Sequence, residues 1–253
     1  LIVPPPSAMP PKDRARKQPP GSVIVPIGDQ LRYPDFVIDL FNLATPPGSG
    51  VLMRRSASIT DNLNMAIMDM PPEHEWAWIL GDDHRFPGDL LVRLLEDDVD
   101  VVVPLGVKRN PPYTLTIAKE ESVFHDERLG RDYPGWMPYQ LHEVPEEMFT
   151  VMASGSAGML VRRRVLDDIG FPFFESTDGV YLNEDYEFCR KVRAHGYDIW
   201  CDPDALLGHI GQAYLWPEWR DGLLMVKIDH GGADGENEIY IGLKAPELEP
   251  AAT

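Results

Sequence analysis

The fold is decided by Trp76-Ala77-Trp78-Ile79-Leu80-Gly81-Asp82-Asp83-His84-Arg85-Phe86-Pro87-Gly88-Asp89-Leu90-Leu91-Val92-Arg93-Leu94-Leu95. Five apolar residues stop abruptly at a Gly-Asp-Asp-His turn. Pro87 follows where a helix takes its first residue, and Leu90, Leu91, Leu94 and Leu95 form one apolar stripe. Strand, turn and helix succeed one another within twenty residues, with carboxylates and an imidazole at the strand's carboxyl end. In open α/β sheets, ligands bind at that end.

The same alternation extends in both directions. Val23–Ile27 and Gly50–Arg54 predict short strands, and Asp35–Leu43 and Asn62–Met70 predict helices, the second stopped by Pro71-Pro72. Val99–Val107 is a near-continuous apolar run, as in a strand covered on both faces. Gly158–Val161 predicts a strand, Arg162–Ile169 a helix ended by Gly170, Glu184–His195 a helix ended by Gly196, and Ile199–Cys201 a further strand. This predicts an α/β fold with a mostly parallel central sheet flanked by helices. Residues 108–150, rich in Pro, Tyr and charge, read as irregular, and periodicity fades after Cys201. Residues 1–21 hold seven prolines with Lys12, Arg14, Arg16 and Lys17. They read as a polyproline-like basic arm without a helix, one that a neighbouring subunit would hold if it is ordered. Residues 245–253 read as a tail. The expected organisation is an arm, a single domain over 22–244 and that tail.

The 253 residues carry 23 Lys and Arg against 41 Asp and Glu, a net charge of −18. A field of that sign does not hold nucleic acid or an anionic membrane, although Lys108, Arg109 and Arg162-Arg163-Arg164 are placed to build a local positive strip. No apolar run approaches the roughly 18 residues of a membrane span, and no signal peptide is visible. Cys189 and Cys201 make no disulfide framework. A reducing, cytoplasmic setting is expected.

Three clusters carry chemistry. Asp82, Asp83 and His84 suit a divalent cation, with imidazole favouring Mn2+ or another transition metal over Mg2+; taken alone they read more readily as a solvated turn whose Asp and Gly cap the next helix. Asp185 shares a helix face with Phe188, Cys189 and Val192, which turns it inward as a candidate general base. The plainer alternative has Asn183 capping that helix while Glu184, Asp185 and Glu187 complement its dipole. His209, between Gly208 and Gly211, is either a ligand or a core histidine. Ala153–Gly158 precedes a strand and is neither a Walker loop nor a dinucleotide fingerprint.

Together these pieces resemble the GT-A glycosyltransferases, nearest the inverting family-2 type with compact phage and bacterial relatives. The resemblance runs from Val23 to about Gly211. It is carried by residues 76–95, by VDVVVPLGVKRNPPYTL (99–115), by ASGSAGMLVRRRVLDDIGFPFF (153–174) and by NEDYEFCRKVRAHGYDIWCDPDALLGHIG (183–211). It implies a GT-A (Rossmann-like) fold whose nucleotide-sugar half is about 22–110 and acceptor half about 111–244. It implies that Asp82, Asp83 and His84 bind metal and nucleotide diphosphate, that His209 completes the metal site, and that Asp185 is the catalytic base with Glu184 beside it. Pro26 and Ile27, in the Pro26–Asp29 loop, would hold the nucleotide base. Asn64 would face the donor, and Gly155 and Gly158 would let sugar or acceptor approach the backbone. Trp136 and Tyr139 are candidates to stack on a sugar.

The sequence departs from the usual Asp-x-Asp: either Gly81 replaces the first aspartate, or the motif is Asp82-x-His84. Leu63 stands where an arginine is common, and Arg54-Arg55-Ser56 stand where acidic residues usually end the second strand. The implied function is metal-dependent, inverting transfer of a sugar from a nucleoside-diphosphate sugar to an acceptor hydroxyl, with the acceptor left open among saccharide, protein and modified DNA base. The competing expectations are a nucleotidyltransferase, a metallophosphoesterase and a non-catalytic nucleotide-sugar or glycan-binding protein on the same scaffold. A homo-oligomer through the arm is a further expectation.

Overall fold

A computed structural model describes residues 9–27, 33–56, 58–109, 113–127, 130–176, 184–211, 214–220, 223–229 and 238–241. Their contacts fall into two compact units, Leu1–Val107 with Thr114–His209 and Lys108–Tyr113 with Ile210–Thr253, where the sequence suggested one body to residue 244. In chain order the first elements are α1 (Pro11–Ala15), β1 (Ser22–Ile27), α2 (Pro34–Asn42), β2 (Gly50–Arg55), α3 (Ile59–Met68), β3 (Trp76–Ile79), β4 (His84–Arg85), α4 (Leu90–Glu96) and β5 (Val101–Gly106). Then come β6 (Ile117–Asp126), β7 (Arg131–Pro138), β8 (Phe149–Val151), β9 (Ala153–Ser154), β10 (Leu160–Arg162), α5 (Arg163–Ile169), α6 (Glu184–Ala194) and β11 (Ile199–His209). The smaller unit holds β12 (Tyr214–Arg220), β13 (Leu223–Asp229) and β14 (Glu238–Ile241).

The larger unit is built on an eight-stranded sheet in the order β2-β1-β3-β10-β5-β11-β4, with β8 also paired to β11. Strands β2, β1, β3, β5 and β11 run one way, and β10, β4 and β8 run against them. The sheet is therefore mostly parallel, as the alternation predicts. Successive residues feed opposite layers. Ile24, Ala77, Ile79, Val101 and Val103 pack with α3, α5 and α6 residues, whereas Val23, Val25, Trp76, Trp78 and Val102 pack with α2 and α4 residues. Pro26 is tolerated in β1 because the ladder to β3 reaches only Ile24.

Helix ends follow local chemistry. The Ser58 side chain accepts from the Asp61 N–H and starts α3 three residues before the expected boundary. α4 begins after Asp89 rather than at Pro87. Gly170 and Gly196 end α5 and α6 at φ +70° and +85°, the left-handed region open to glycine.

Three expectations are overturned. The arm forms a turn of helix, α1, because Pro11 sits at the first helical position, where its missing N–H costs nothing. Its holder is the chain itself. Ala15 packs with Ala44 and Val92, the Arg14 guanidinium pairs with Asp89 and Glu96 of the α4 region, and the Trp76 indole donates to the Pro19 carbonyl at 2.8 Å. The stretch 108–150 is largely β structure: β6 pairs antiparallel with β7 and with β9. β7 carries Pro134 but lies at the edge of that three-stranded sheet, where a missing donor is tolerated. Beyond residue 209, β12, β13 and β14 form an antiparallel sheet where the pattern faded. Residues 245–253 lie outside the described residues.

Candidate metal centre and active site

The Asp83 turn leaves the carboxyl end of β3 and enters β4, which pairs antiparallel with the end of β11 so that His84 is directly opposite His209. β11 reaches that point through a register shift between Asp202 and Leu206. The two imidazoles stack, centroids 4.3 Å apart at 23°. Oδ2 of Asp83 lies 3.1 Å from Nε2 of His209, and Oδ1 lies 2.9 Å from Nδ1 of His84. The second contact has the length of a hydrogen bond without its direction, so buried Nδ1 of His84 has no hydrogen-bond partner. Ligand atoms of Asp83, His84 and His209 all lie within 4.8 Å of one another.

The tautomer of His209 follows from its other nitrogen. Nδ1 lies 3.1 Å from the Val107 carbonyl, which only accepts, so Nδ1 carries the hydrogen. Nε2 then turns a lone pair toward an ionised carboxylate unless a proton or a cation lies there. Imidazole ligands of metals are fixed in this way by backbone carbonyls. Burial works to raise the Asp83 carboxyl, but contacts with His209 and His84 outweigh it and hold it well below the ordinary carboxylate range. A converging carboxylate, an orphaned imidazole nitrogen and a carbonyl-fixed second imidazole fit a divalent cation of the Mn2+ type.

Gly81 permits this convergence. A Cβ there would lie 2.7 Å from Nδ1 of His84 and 3.0 Å from Oδ1 of Asp83. Asp82 is half-buried and stands outside the cluster.

A second group gathers at the start of α6. Asp185 is half-buried, its Oδ1 accepting from the Tyr186 N–H at 2.8 Å. A Cβ on Gly155 would meet Oδ2 of Asp185 at 3.6 Å and Thr116 at 3.7 Å. Burial and the charge of Glu184, against backbone hydrogen bonds that include one from Ser156, push Asp185 up to about 7, the range of a general base working near neutrality.

Other predicted residues have structural duties. Asn64 is buried; its Oδ1 accepts from the Phe173 and Phe174 N–H groups at 2.9 Å and its Nδ2 donates to the Phe174 carbonyl at 2.8 Å. These bonds tie α3 to the segment of Phe173 and Phe174. Gly158 is buried at φ +83°, and a Cβ there would meet Pro104 at 2.4 Å. Its N–H donates to Ile79 and its carbonyl accepts from the Trp78 indole, so it serves packing. Pro26 and Ile27 are half-buried at the end of β1, while Gly28, Asp29 and Asn183 lie outside the described residues. Trp136 stacks on Tyr186, centroids 5.4 Å apart, and Tyr139 meets Phe149 edge-on. Arg162, Arg163 and Arg164 pair with Asp98, Asp167 and Asp100, which removes the expected positive strip at those positions.

Sequence reasoning missed Asn62, buried two positions before Asn64, whose Nδ2 donates to the Ile27 carbonyl at 3.1 Å.

No family model and no curated protein matches the sequence. Among solved structures, one of GalNAc-T7 with UDP, GalNAc and Mn2+ is similar at TM-score 0.51 and 12% identity, over 77% of this chain and 44% of that one. The chain thus spans less than half the length of that protein. The structure of A197 from STIV aligns at TM-score 0.46 and 13% identity, over 92% of this chain and all of that one, a likeness too low to bear on the fold. No described helix is long and apolar enough to cross a membrane. At such identities the likeness is one of fold alone: the α/β, GT-A (Rossmann-like) arrangement with a mostly parallel central sheet flanked by helices.

Proposed function

We propose that this chain is a metal-dependent glycosyltransferase of the inverting, family-2-like type, moving a sugar from a nucleoside-diphosphate sugar to an acceptor hydroxyl. The observation that carries the reading is the convergence of Asp83, His84 and His209 at the carboxyl ends of β3 and β11, where an α/β sheet binds ligands. These three residues would hold the cation, with Mn2+ preferred to Mg2+ because two imidazoles take part. When bound, it supplies positive charge against the phosphate that leaves with the nucleotide.

The chain's own groups do the rest. Asp185 takes the proton from the acceptor hydroxyl as that oxygen attacks the anomeric carbon and the bond from that carbon to the diphosphate breaks. Burial first, and the charge of Glu184 second, keep the basicity of Asp185 near neutrality. Gly155 leaves room beside its carboxylate. Pro26 and Ile27, at the end of β1, border the place for the nucleotide base.

The test is a panel of UDP-, GDP-, ADP- and TDP-sugars read by thermal shift with and without Mn2+, since a ligand that binds only the folded state raises its melting temperature. A shift that needs both donor and metal supports the reading, and hydrolysis of the same donor should follow it. Binding with no hydrolysis or transfer would favour a nucleotide-sugar-binding protein on the same scaffold.

A further inference from the structure

Three consecutive arginines meet in one cleft at the end of the sheet away from the metal centre. Arg162 closes β10 with extended backbone (φ −67°, ψ 143°), and α5 begins at Arg163. Consecutive residues within a strand point to opposite faces. The corner from strand to helix instead lets Arg162, Arg163 and Arg164 turn to one space. With Glu75 and Asp98 they line a cleft of about 280 Å³. Arg162 is opposite Trp76, the first residue of β3, and its N–H donates to the Asp100 carbonyl just before β5. The cleft therefore lies at the amino ends of β3 and β5, whereas Asp83 follows the carboxyl end of β3. Both places belong to the same compact unit.

Charge in this cleft is uneven in depth. The Arg162 side chain is 14% exposed. Its guanidinium reaches the Leu95 carbonyl at 3.3 Å, the Val99 carbonyl at 3.4 Å and Asp98 at 3.4 Å, all longer than the roughly 2.9–3.0 Å of an ordinary N–H···O bond. A buried cation needs close partners, yet the Asp98 side chain beside it is 94% exposed. Glu75 is exposed as well. Arg163 gives Nε to Asp167 at 3.3 Å and Nη1 to the Pro71 carbonyl at 2.9 Å, and Arg164 gives Nε to Asp100. Among the described residues, Nη1 of Arg162, Nη2 of Arg163 and both Nη atoms of Arg164 take part in no hydrogen bond. The ion pairs cancel an extended positive strip, but inside the cleft the buried charge is positive and the exposed ones on Glu75 and Asp98 are negative.

We propose that this cleft binds the phosphate group of a small phosphate monoester. Such a group is close to a dianion at neutral pH and offers three acceptor oxygens, which suits donors from several guanidinium groups. A carboxylate, with one charge and two oxygens, is served by a single arginine fork. The volume is at the small end of ligand clefts: it holds a phosphate with a few carbons and excludes a peptide or a nucleic-acid strand. The anion takes the place of Asp98 beside Arg162. That exchange costs little, because an exposed ion pair contributes little. Glu75, at the rim, accepts a hydrogen bond from a hydroxyl of the remaining molecule.

The proposal stands apart from the transferase reading, so it is tested in EDTA and without nucleotide. Inorganic phosphate, glycerol 3-phosphate and glucose 6-phosphate are titrated into the full chain by calorimetry at constant ionic strength. At least one should bind with Kd below about 10 mM. Arg163→Gln and Arg164→Gln should each weaken it at least about tenfold, the effect of losing a hydrogen bond to a charged group. Asp98→Asn should tighten it by about two- to fivefold, since it removes the competing carboxylate; Asn accepts the left-handed backbone at that position, φ 50°. If Arg163→Gln fails to fold, Arg164→Gln decides, because that side chain is 69% exposed. His209→Ala should bind the same anion as the parent chain does. No binding across the panel, binding kept in the folded arginine variants, equal or weaker binding in Asp98→Asn, or binding lost in His209→Ala would each overturn the proposal, the last by moving the anion to the metal centre.

Discussion

Asp83 and His209 lie 126 positions apart in the chain and 3.1 Å apart in space. The pairing of β4 with β11 creates that proximity, and the Val107 carbonyl fixes which nitrogen of His209 meets the carboxylate. His209→Ala should therefore weaken Mn2+ binding by at least about tenfold while leaving the fold intact, because His209 is partly exposed and its strand is held by backbone pairing. Calorimetric titration with Mn2+ alone checks this, and equal affinity in the variant would remove His209 from the site.

Asn64 separates a structural role from a donor-facing one. Asn64→Ala strands the Phe173 and Phe174 amide groups in the interior. The expected cost is about 2–4 kcal/mol, or a melting temperature lower by roughly 5–12 °C. Donor affinity measured below the transition should be unchanged. A lower affinity at wild-type stability would restore the role that the family resemblance implies.

Arg14 tests whether the arm belongs to the body. It is 9% exposed, and Nε donates to Glu96 at 3.0 Å while Nη1 lies 3.4 Å from Asp89. Arg14→Ala leaves two carboxylates without their shared cation and should cost about 1–3 kcal/mol. The urea midpoint should fall with an unchanged slope, as for a loss of stability without a change in the surface exposed. A midpoint equal to that of the parent chain would make the arm an ornament of the fold rather than part of it.

What was legible in the sequence follows burial. Strands β1, β3 and β5 are covered on both faces and appear as apolar runs, so their place and order are visible in Val23–Ile27, Trp76–Leu80 and Val99–Val107. β6 was hidden because Glu120, Glu121 and Val123 are exposed there, and a strand half in water has no reason to keep an apolar period. β11 appeared only as Ile199–Cys201 because Asp202, Pro203 and Asp204 interrupt it where its register shifts. That irregular stretch delivers His209, so the element that completes the site was the one the pattern concealed. The carboxylate and imidazoles were visible as candidate ligands from their residue types, and the family resemblance joined them into one site. Gly81 had no side chain to announce it, and its role appears only when a Cβ is placed against His84.

Asp185 and Glu184 give a prediction whose sign is fixed in advance. Burial first, and the charge of Glu184 second, push Asp185 up to about 7. A general base works only when ionised, so transfer should rise as pH passes upward through about 7 and level off above it. Glu184→Gln removes the neighbouring negative charge and keeps the size. Asp185 should then ionise at lower pH, moving the acid limb of the rate profile downward, so that at pH 6 the variant retains a larger fraction of its own maximum than the parent chain does. Asp185→Asn should lower transfer by roughly 10² to 10⁴ at every pH and leave the Mn2+ titration unchanged, since the metal ligands are other residues. The product should have the opposite anomeric configuration to the donor. An acid limb that stays in place in Glu184→Gln, or a product of retained configuration, would take the base assignment away from Asp185.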